Sequence, residues 1–346
     1  MRFFFTEEDE LTRTRAGDIR SALVAARHVV RHGGPGDTPP PGTEVWMHGL
    51  GVDTARPLDH ALLRALLDTR AQVALFQLDD APTFSFPRLP PELARRARLF
   101  LRNHWPSDLS GVPPALRERL GWLPPMLKTM PPRAGRPLRE RSIATLFYAT
   151  RTGADNLPGR RNAREETVRL MQASGLPFEG GLLPHPEPRY QAPPELTVPR
   201  IHQRVHTRKL RDTFVCIAPW GNHVLTYRVF EGLACRCLVL AQTLRDCAIV
   251  DDGLQPGRHY VEVAADLSDL VELTRHYLAH PDEAQRIADA GHAHFVQRLA
   301  ARGPLVSQWI FDACVASWGS LVRPGDAQGL VPAARAFAAR WLGVRY

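Results

Sequence analysis

Short apolar runs alternate with amphipathic stretches along most of the chain. Arg2–Thr6 reads as a buried strand, since consecutive bulky apolar residues suit a strand covered on both faces. Gly17 to Arg31 predicts a helix, with Ile19, Leu23, Ala26 and Val30 at helical spacing. Glycine and proline between His32 and Pro41 mark a loop. Glu44–His48 predicts a strand that runs into Gly49-Leu50-Gly51. Leu58–Thr69 predicts a helix, and Gln72–Gln77 and Arg98–Arg102 two more strands.

The alternation continues in the second half. Ser142–Tyr148, a weaker segment near Leu182, Thr213–Ala218, Cys237–Ala241 and His259–Val263 predict strands. Arg161–Ser174, Arg200–Asp212 and Leu225–Ala234 predict the helices between them. Asp266 or Ser268 is expected to cap a helix bearing Leu270, Leu273 and Tyr277 on one face. Further helices are expected from Asp282, over Leu305–Leu321 and over Val331–Leu342. Such alternation builds parallel sheets with helices on both sides, so the fold class is α/β.

The 346 residues suit two domains. Pro124, Pro125, Pro131, Pro132 and Pro137, with Gly135 among them, lack periodicity and mark an interdomain connection. The expected organisation is an N-terminal Rossmann-like domain over 1–136 and a second over 137–325. The two doubly wound domains would face one another across a cleft. A C-terminal helix within 326–346 would cross back to the first.

Composition narrows the function. No apolar run approaches the roughly 20 residues needed to span a bilayer. The start MRFFFTEEDELTR lacks the basic opening and cleavage site of a secretory leader, so a cytoplasmic protein is expected. Five cysteines, at Cys216, Cys235, Cys237, Cys247 and Cys314, are an odd count in mostly apolar surroundings. Buried free thiols fit them better than disulfides or a zinc site. The formal charge is +8, almost all of it arginine, with lysine only at Lys128 and Lys209. Arginine suits phosphate, which it grips through two parallel hydrogen bonds. The phosphate could belong to a nucleotide, a nucleic acid or an anionic membrane. Helix-turn-helix, zinc-finger and aromatic-basic β motifs of nucleic-acid binders are lacking.

Phe214 to Phe295 carries more than a fold class. It reads FVCIAPWGNHVLTYRVFEGLACRCLVLAQ and continues through DDGLQPGRHYVEVAADLSDL to IADAGHAHF. Leu254, Pro256, His259, Tyr260 and Val261, followed by Asp266 to Leu270, fall into a pattern that resembles the nucleotide-sugar-binding half of glycosyltransferase family 90. These are the capsule-associated and protein O-glucosyl/xylosyl transferases. The stretch is also similar to exostosin-type and CgeB-like bacterial glycosyltransferases. LFYATRTGADNLPGRRNARE resembles a second element of family 90, with Arg151 and Thr152 matching. Ala149-Thr150 stands where that family has Gly-Ser. The resemblance covers the second half unevenly and leaves the first domain without a match. It implies a GT-B fold and a nucleotide-sugar donor.

Transfer from a sugar nucleotide must stabilise a diphosphate leaving group and an oxocarbenium-like sugar. Arginines and helix N-termini supply the positive field where no metal does. Arg228, in the first turns of the helix after Trp220-Gly221-Asn222, is placed to reach a phosphate, with Thr226 offering a hydroxyl. Arg151 would close the clamp from the Ser142–Tyr148 strand, with Arg160, Arg161 and Arg164 as alternatives. Glu231 lies three residues past Arg228 on the same helical face. The resemblance implies that it accepts from ribose hydroxyls. Asn222 or His223 would contact sugar or base. Read without the motif, Arg228 and Glu231 are a surface ion pair and Trp220 a core or wall residue.

The base on the acceptor hydroxyl is expected from the first domain. Asp79 and Asp80, beyond the Gln72–Gln77 strand, are the first candidates, and His48 is the next. The same two aspartates read equally as a polar turn. His104 is a further candidate for the acceptor side. Retaining enzymes of this fold often carry two glutamates spaced eight apart here. In this chain Glu231 fills the second place and His223 the first, which predicts inversion. Asp251-Asp252 lacks the setting of a metal-binding D-x-D, so no metal and no cofactor are expected. The expected partners are the nucleotide-sugar, a UDP-sugar first, and a glycan or lipid-linked acceptor, with peripheral membrane contact through the basic surface. The rival classes are a nucleic-acid-binding protein and a catalytically dead sugar-nucleotide scaffold.

Overall fold

The computed structural model describes residues 2–8, 17, 19, 20, 23, 24, 27–50, 58–77, 89–102, 113–117, 119–122, 134–153, 161–221, 226–243 and 254–297. The chain divides into two compact units, one containing residues up to Met126 and the other Leu127–Arg298. The expected helices over Leu305–Leu321 and Val331–Leu342 lie outside the described residues.

In the first unit, strands β1 (Arg2–Glu7), β2 (Val29–His32), β3 (Val45–Gly49), β4 (Gln72–Gln77), β5 (Leu99–Arg102) and β6 (Leu120–Trp122) form one parallel sheet. The order is β2-β1-β3-β4-β5-β6. Helices α1 (His60–Asp68), α2 (Pro91–Arg96) and α3 (Pro114–Arg117) connect its later strands. Asp59 starts α1 by accepting from Ala61 N at 2.9 Å and Leu62 N at 3.1 Å, which satisfies two amides the helix leaves open. One sheet face packs Phe3, Phe5, Val45, Met47, Ala74, Phe76, Leu99 and Leu101 against Ile19 and Leu23.

The expected helix from Gly17 to Arg31 stops early. Positions 17, 19, 20, 23 and 24 are helical, but Val29–His32 is strand β2, paired with β1. The stop is at Arg27, whose φ of 64° is left-handed. Arg27 N bonds to Val24 O and His28 N to Leu23 O, the paired bonds of a Schellman motif. Glycine commonly takes that position, so the sequence carried no stop signal there.

In the second unit, β7 (Ile143–Thr150), β8 (Glu179–Leu183), β9 (Thr213–Ala218), β10 (Leu238–Gln242) and β11 (Val261–Val263) are again all parallel, in the order β11-β10-β9-β7-β8. The helices are α4 (Ala163–Ala173), α5 (Gln203–Arg211), α6 (Tyr227–Ala234), α7 (Leu270–Ala279) and α8 (281–297). Asn162 caps α4 through its Oδ1, which accepts from Arg164 N and Glu165 N. The expected cap of α7 is absent. Asp266 accepts from Ser268 N, while Asp269, at the cap position, accepts from Ala264 N. Cys216, Cys235 and Cys237 are buried free thiols, and burial raises the pKa of each.

Both units are doubly wound, and each sheet reverses its strand order once. The reversal falls between β1 and β3 in the first unit and between β7 and β9 in the second. Ligands of such sheets bind beyond the strands' carboxyl ends at the reversal.

Candidate functional site

At the second unit's reversal, the loops leaving β7 and β9 touch through glycine. Gly153 has φ +114°, and a Cβ there would lie 2.9 Å from the carbonyl of Gly221. Only glycine permits this backbone approach. On one side of the junction stands Arg164, from the first turn of α4. It donates from Nη1 to Thr150 O at 2.9 Å and to Thr152 Oγ1 at 2.6 Å. A Cβ on Gly221 would fall 2.1 Å from its Nη2, so this guanidinium covers the bare backbone of the β9 loop.

Arg228, from the first turn of α6, holds the end of β7 from another direction. Its Nη2 donates to Tyr148 O, and its Cζ lies 5.0 Å from the Phe147 ring centroid. Its Nε is buried without a hydrogen-bond partner, and so is the hydroxyl of Thr226, just ahead of α6. A buried donor left unmade costs about 1–3 kcal/mol, so two of them at a strand-end junction need explaining. Both precede or open a helix, where the macrodipole adds positive potential.

The expected residues therefore separate. Thr152 meets the junction through Arg164 and Arg228 through Tyr148 O, and Thr226 stands at the N-cap of the helix that carries Arg228. Arg151 turns to Glu165 and to Arg189 O. Arg164, one of three alternatives in the sequence, holds the junction. Trp220 donates from its backbone N to Gln242 Oε1 and from Nε1 to Thr243 O, both at 2.8 Å, and braces the β9 and β10 loops. Arg228 and Glu231 form no ion pair with each other. Glu231 accepts from Gln203, and burial raises its pKa despite the opposing influence of Arg228. Behind the junction His206 stands edge-on to Tyr148 and is held neutral, its pKa pushed down to about 4 by burial and then by Arg228. Burial and the bond to Glu179 push the Tyr148 phenol up to about 12. Asn222, His223 and Asp251-Asp252 lie outside the described residues.

At the first unit's reversal, His48 pairs in register with Thr6. Thr6 Oγ1 stands 2.9 Å from His48 Nδ1 and accepts from Trp46 Nε1 at 2.8 Å. His48 Nε2 is buried without a hydrogen-bond partner, 3.7 Å from Glu8 Oε1. Gln77 ends β4 with both of its amide atoms buried and unbonded. Glu7 ends β1 on the opposite face, bound by Arg20 and His32. Asp79, Asp80 and His104 lie outside the described residues.

Residues 200–302 match a family model described as glycosyl transferase-like, a span that includes Thr226, Arg228 and Glu231. The search of curated protein sequences gave no match. Among solved structures, sucrose-phosphate synthase from Thermosynechococcus elongatus aligns with a TM-score of 0.59 at 11% identity, over 92% of this chain and 100% of that one. T4 phage β-glucosyltransferase gives 0.52 at 13%, over 91% and 100%. Staphylococcus aureus TarM, solved with fondaparinux, α-GlcNAc-glycerol and UDP, gives 0.50 at 7%, over 78% and 55%. Together with the two parallel sheets, these likenesses show a GT-B fold, and residues 200–302 are similar to the glycosyl transferase-like model.

Proposed function

We propose that the protein is a glycosyltransferase that moves a sugar from a nucleotide-sugar, UDP-linked, to a hydroxyl of a glycan or glycoconjugate acceptor. The observation that carries this reading is the pair of unpartnered buried donors, Thr226 Oγ1 and Arg228 Nε, at the β7/β9 reversal. A diphosphate supplies acceptor oxygens for both, and Arg164 adds a second cation beside Thr152. The UDP in the TarM complex supports the choice of nucleotide. The motif pattern around Leu254–Leu270 supports a place near family 90. With Arg151 held by Glu165, the diphosphate falls to Arg164 and Arg228.

The second unit takes the donor and the first the acceptor. The reaction needs no metal and inverts the sugar, with Asp79, Asp80 or His48 as the acceptor's base. The +8 charge fits an anionic, lipid-linked acceptor met at a membrane surface. No described helix is long and apolar enough to cross a membrane.

The test is thermal stabilisation by UDP, GDP, CMP and dTDP, with and without EDTA. A ligand that binds only the native state raises the melting temperature. UDP is expected to do so, unchanged by EDTA, and Arg228→Ala to reduce the shift. Equal stabilisation of Arg228→Ala by UDP would overturn the donor site.

A further inference from the structure

The carboxyl ends of β1, β3 and β4 place three polar side chains on one face of the first sheet. Core residues Phe5, Met47 and Phe76 fill the other face, and strand alternation turns their neighbours Thr6, His48 and Gln77 away from it. Thr6 pairs with His48, and His48 with Leu75. Gln77 is two residues past Leu75 and so the diagonal neighbour of His48, with Cα atoms about 8 Å apart. Thr6 and Gln77 are 0% exposed and His48 is 1%.

Three atoms of this cluster have no hydrogen-bond partner: His48 Nε2, Gln77 Nε2 and Gln77 Oε1. Buried polar atoms are satisfied in nearly all native structures. Thr6 Oγ1 accepts from Trp46 Nε1 and can still either donate to His48 Nδ1 or accept from it. Nε2 of a neutral His48 is a donor in one tautomer and an acceptor in the other. The set is one histidine nitrogen beside a donor and an acceptor from the amide. Glu8 Oε1 lies 3.7 Å from the same Nε2, and a carboxylate there opposes an anion.

We propose that this face of the β1/β3/β4 strand ends is a binding site for adjacent hydroxyl groups of a neutral sugar. Each hydroxyl both donates and accepts, so it satisfies the amide and the His48 nitrogen in either tautomer. The site rests on the glycosyltransferase reading for its place in the reaction, but its ligand class stands on the orphaned atoms alone.

The experiment observes the Gln77 side-chain amide and the His48 imidazole by nitrogen-15 NMR in the full-length protein. The probes are methyl glycosides of glucose, galactose, mannose and xylose, with 2-methoxytetrahydropyran as a control that lacks ring hydroxyls. At least one glycoside is expected to shift both signals, and the control to shift neither. Gln77→Leu is expected to weaken that glycoside about tenfold and to keep its thermal shift with UDP. The leucine variant is also expected to melt higher than wild type, because it removes an unsatisfied buried amide, so a folding failure is not the anticipated confounder. If no glycoside moves either signal, the orphaned atoms hold trapped water and the proposal falls. It also falls if Gln77→Leu binds the glycoside as wild type does. Glycoside binding without any UDP shift in wild type would refute the donor reading and leave this site standing.

Discussion

At the β7/β9 reversal the polar side chains are cationic and already hold backbone. Arg164 bonds to the carbonyl of Thr150 and Arg228 to that of Tyr148. At the β1/β3 reversal one face carries the uncharged Thr6 and Gln77 beside His48, and the Gln77 side-chain amide has no hydrogen-bond partner among the described residues. Both sheets share one topology, so strand order did not choose this chemistry. Helix placement did much of it. Arginines on the first turns of α4 and α6 reach strand ends, whereas His48 and Gln77 come from the strands themselves. A diphosphate needs charge delivered from helix N-termini, while hydroxyls need only satisfied neutral partners.

The largest effect should come from removing that charge. Hydrogen bonds to charged groups contribute about 1.5–3 kcal/mol each, so Arg164→Ala with Arg228→Ala should cost roughly 3–6 kcal/mol of UDP affinity by titration calorimetry. Each single variant should lose about half, and Arg151→Ala far less, because Arg151 is held by Glu165. Circular dichroism melts separate this loss from loosening of β7. Arg151→Ala losing as much as Arg164→Ala would reverse the assignment of the second cation.

The next effect concerns pH. His206 is neutral in the fold, its pKa lowered from 6.5 to about 4 by burial and by Arg228. A depressed group contributes stability above its unfolded pKa and loses it as pH falls through the folded value. Between pH 6.5 and 4 the unfolded chain binds a proton that the native state refuses, a loss of about 3 kcal/mol. Wild type minus His206→Phe in urea unfolding should therefore decline across that window and level below it. A flat difference would mean that His206 takes its proton within the fold, despite Arg228.

How much of this was legible in the sequence depended on range. Gln72–Gln77 and Thr213–Ala218 are strands over the expected residues, because unbroken apolar runs admit little else in an α/β chain. Two helix ends were opaque for one shared reason. Arg27 and Arg236 both adopt left-handed φ, near 60°, where glycine would have announced the stop. Arg236 N bonds to Leu233 O and Cys237 N to Gly232 O, repeating the Arg27 arrangement. Thr226 and Arg228 could be picked out because one motif and one helix start hold them both. Arg164 could not be preferred over Arg160 or Arg161, since its contact with Thr150 spans 14 positions and depends on the Asn162 cap. Gln77 went unnoticed as the last residue of an apolar strand. Only the register with β3 sets it beside His48, and only burial reveals its amide as unbonded.

Smaller effects test the comparison through stability. Gln77→Leu should raise it by about 1–2 kcal/mol in urea unfolding, the cost of an unsatisfied amide recovered. A drop would mean that the amide is bonded, by water if nothing else. Thr226→Val replaces a buried hydroxyl by a methyl of similar size and should stabilise by up to about 1 kcal/mol. The two variants differ in what they cost. Thr226→Val should weaken UDP a few-fold, by about the worth of one hydroxyl bond, whereas Gln77→Leu should leave UDP alone. Each end of the chain would then give up stability in the empty state for a different ligand. If Thr226→Val stabilises without weakening UDP, the hydroxyl is an orphan with no role in the donor site. The diphosphate contacts then reduce to the two arginines and the amides at the start of α6.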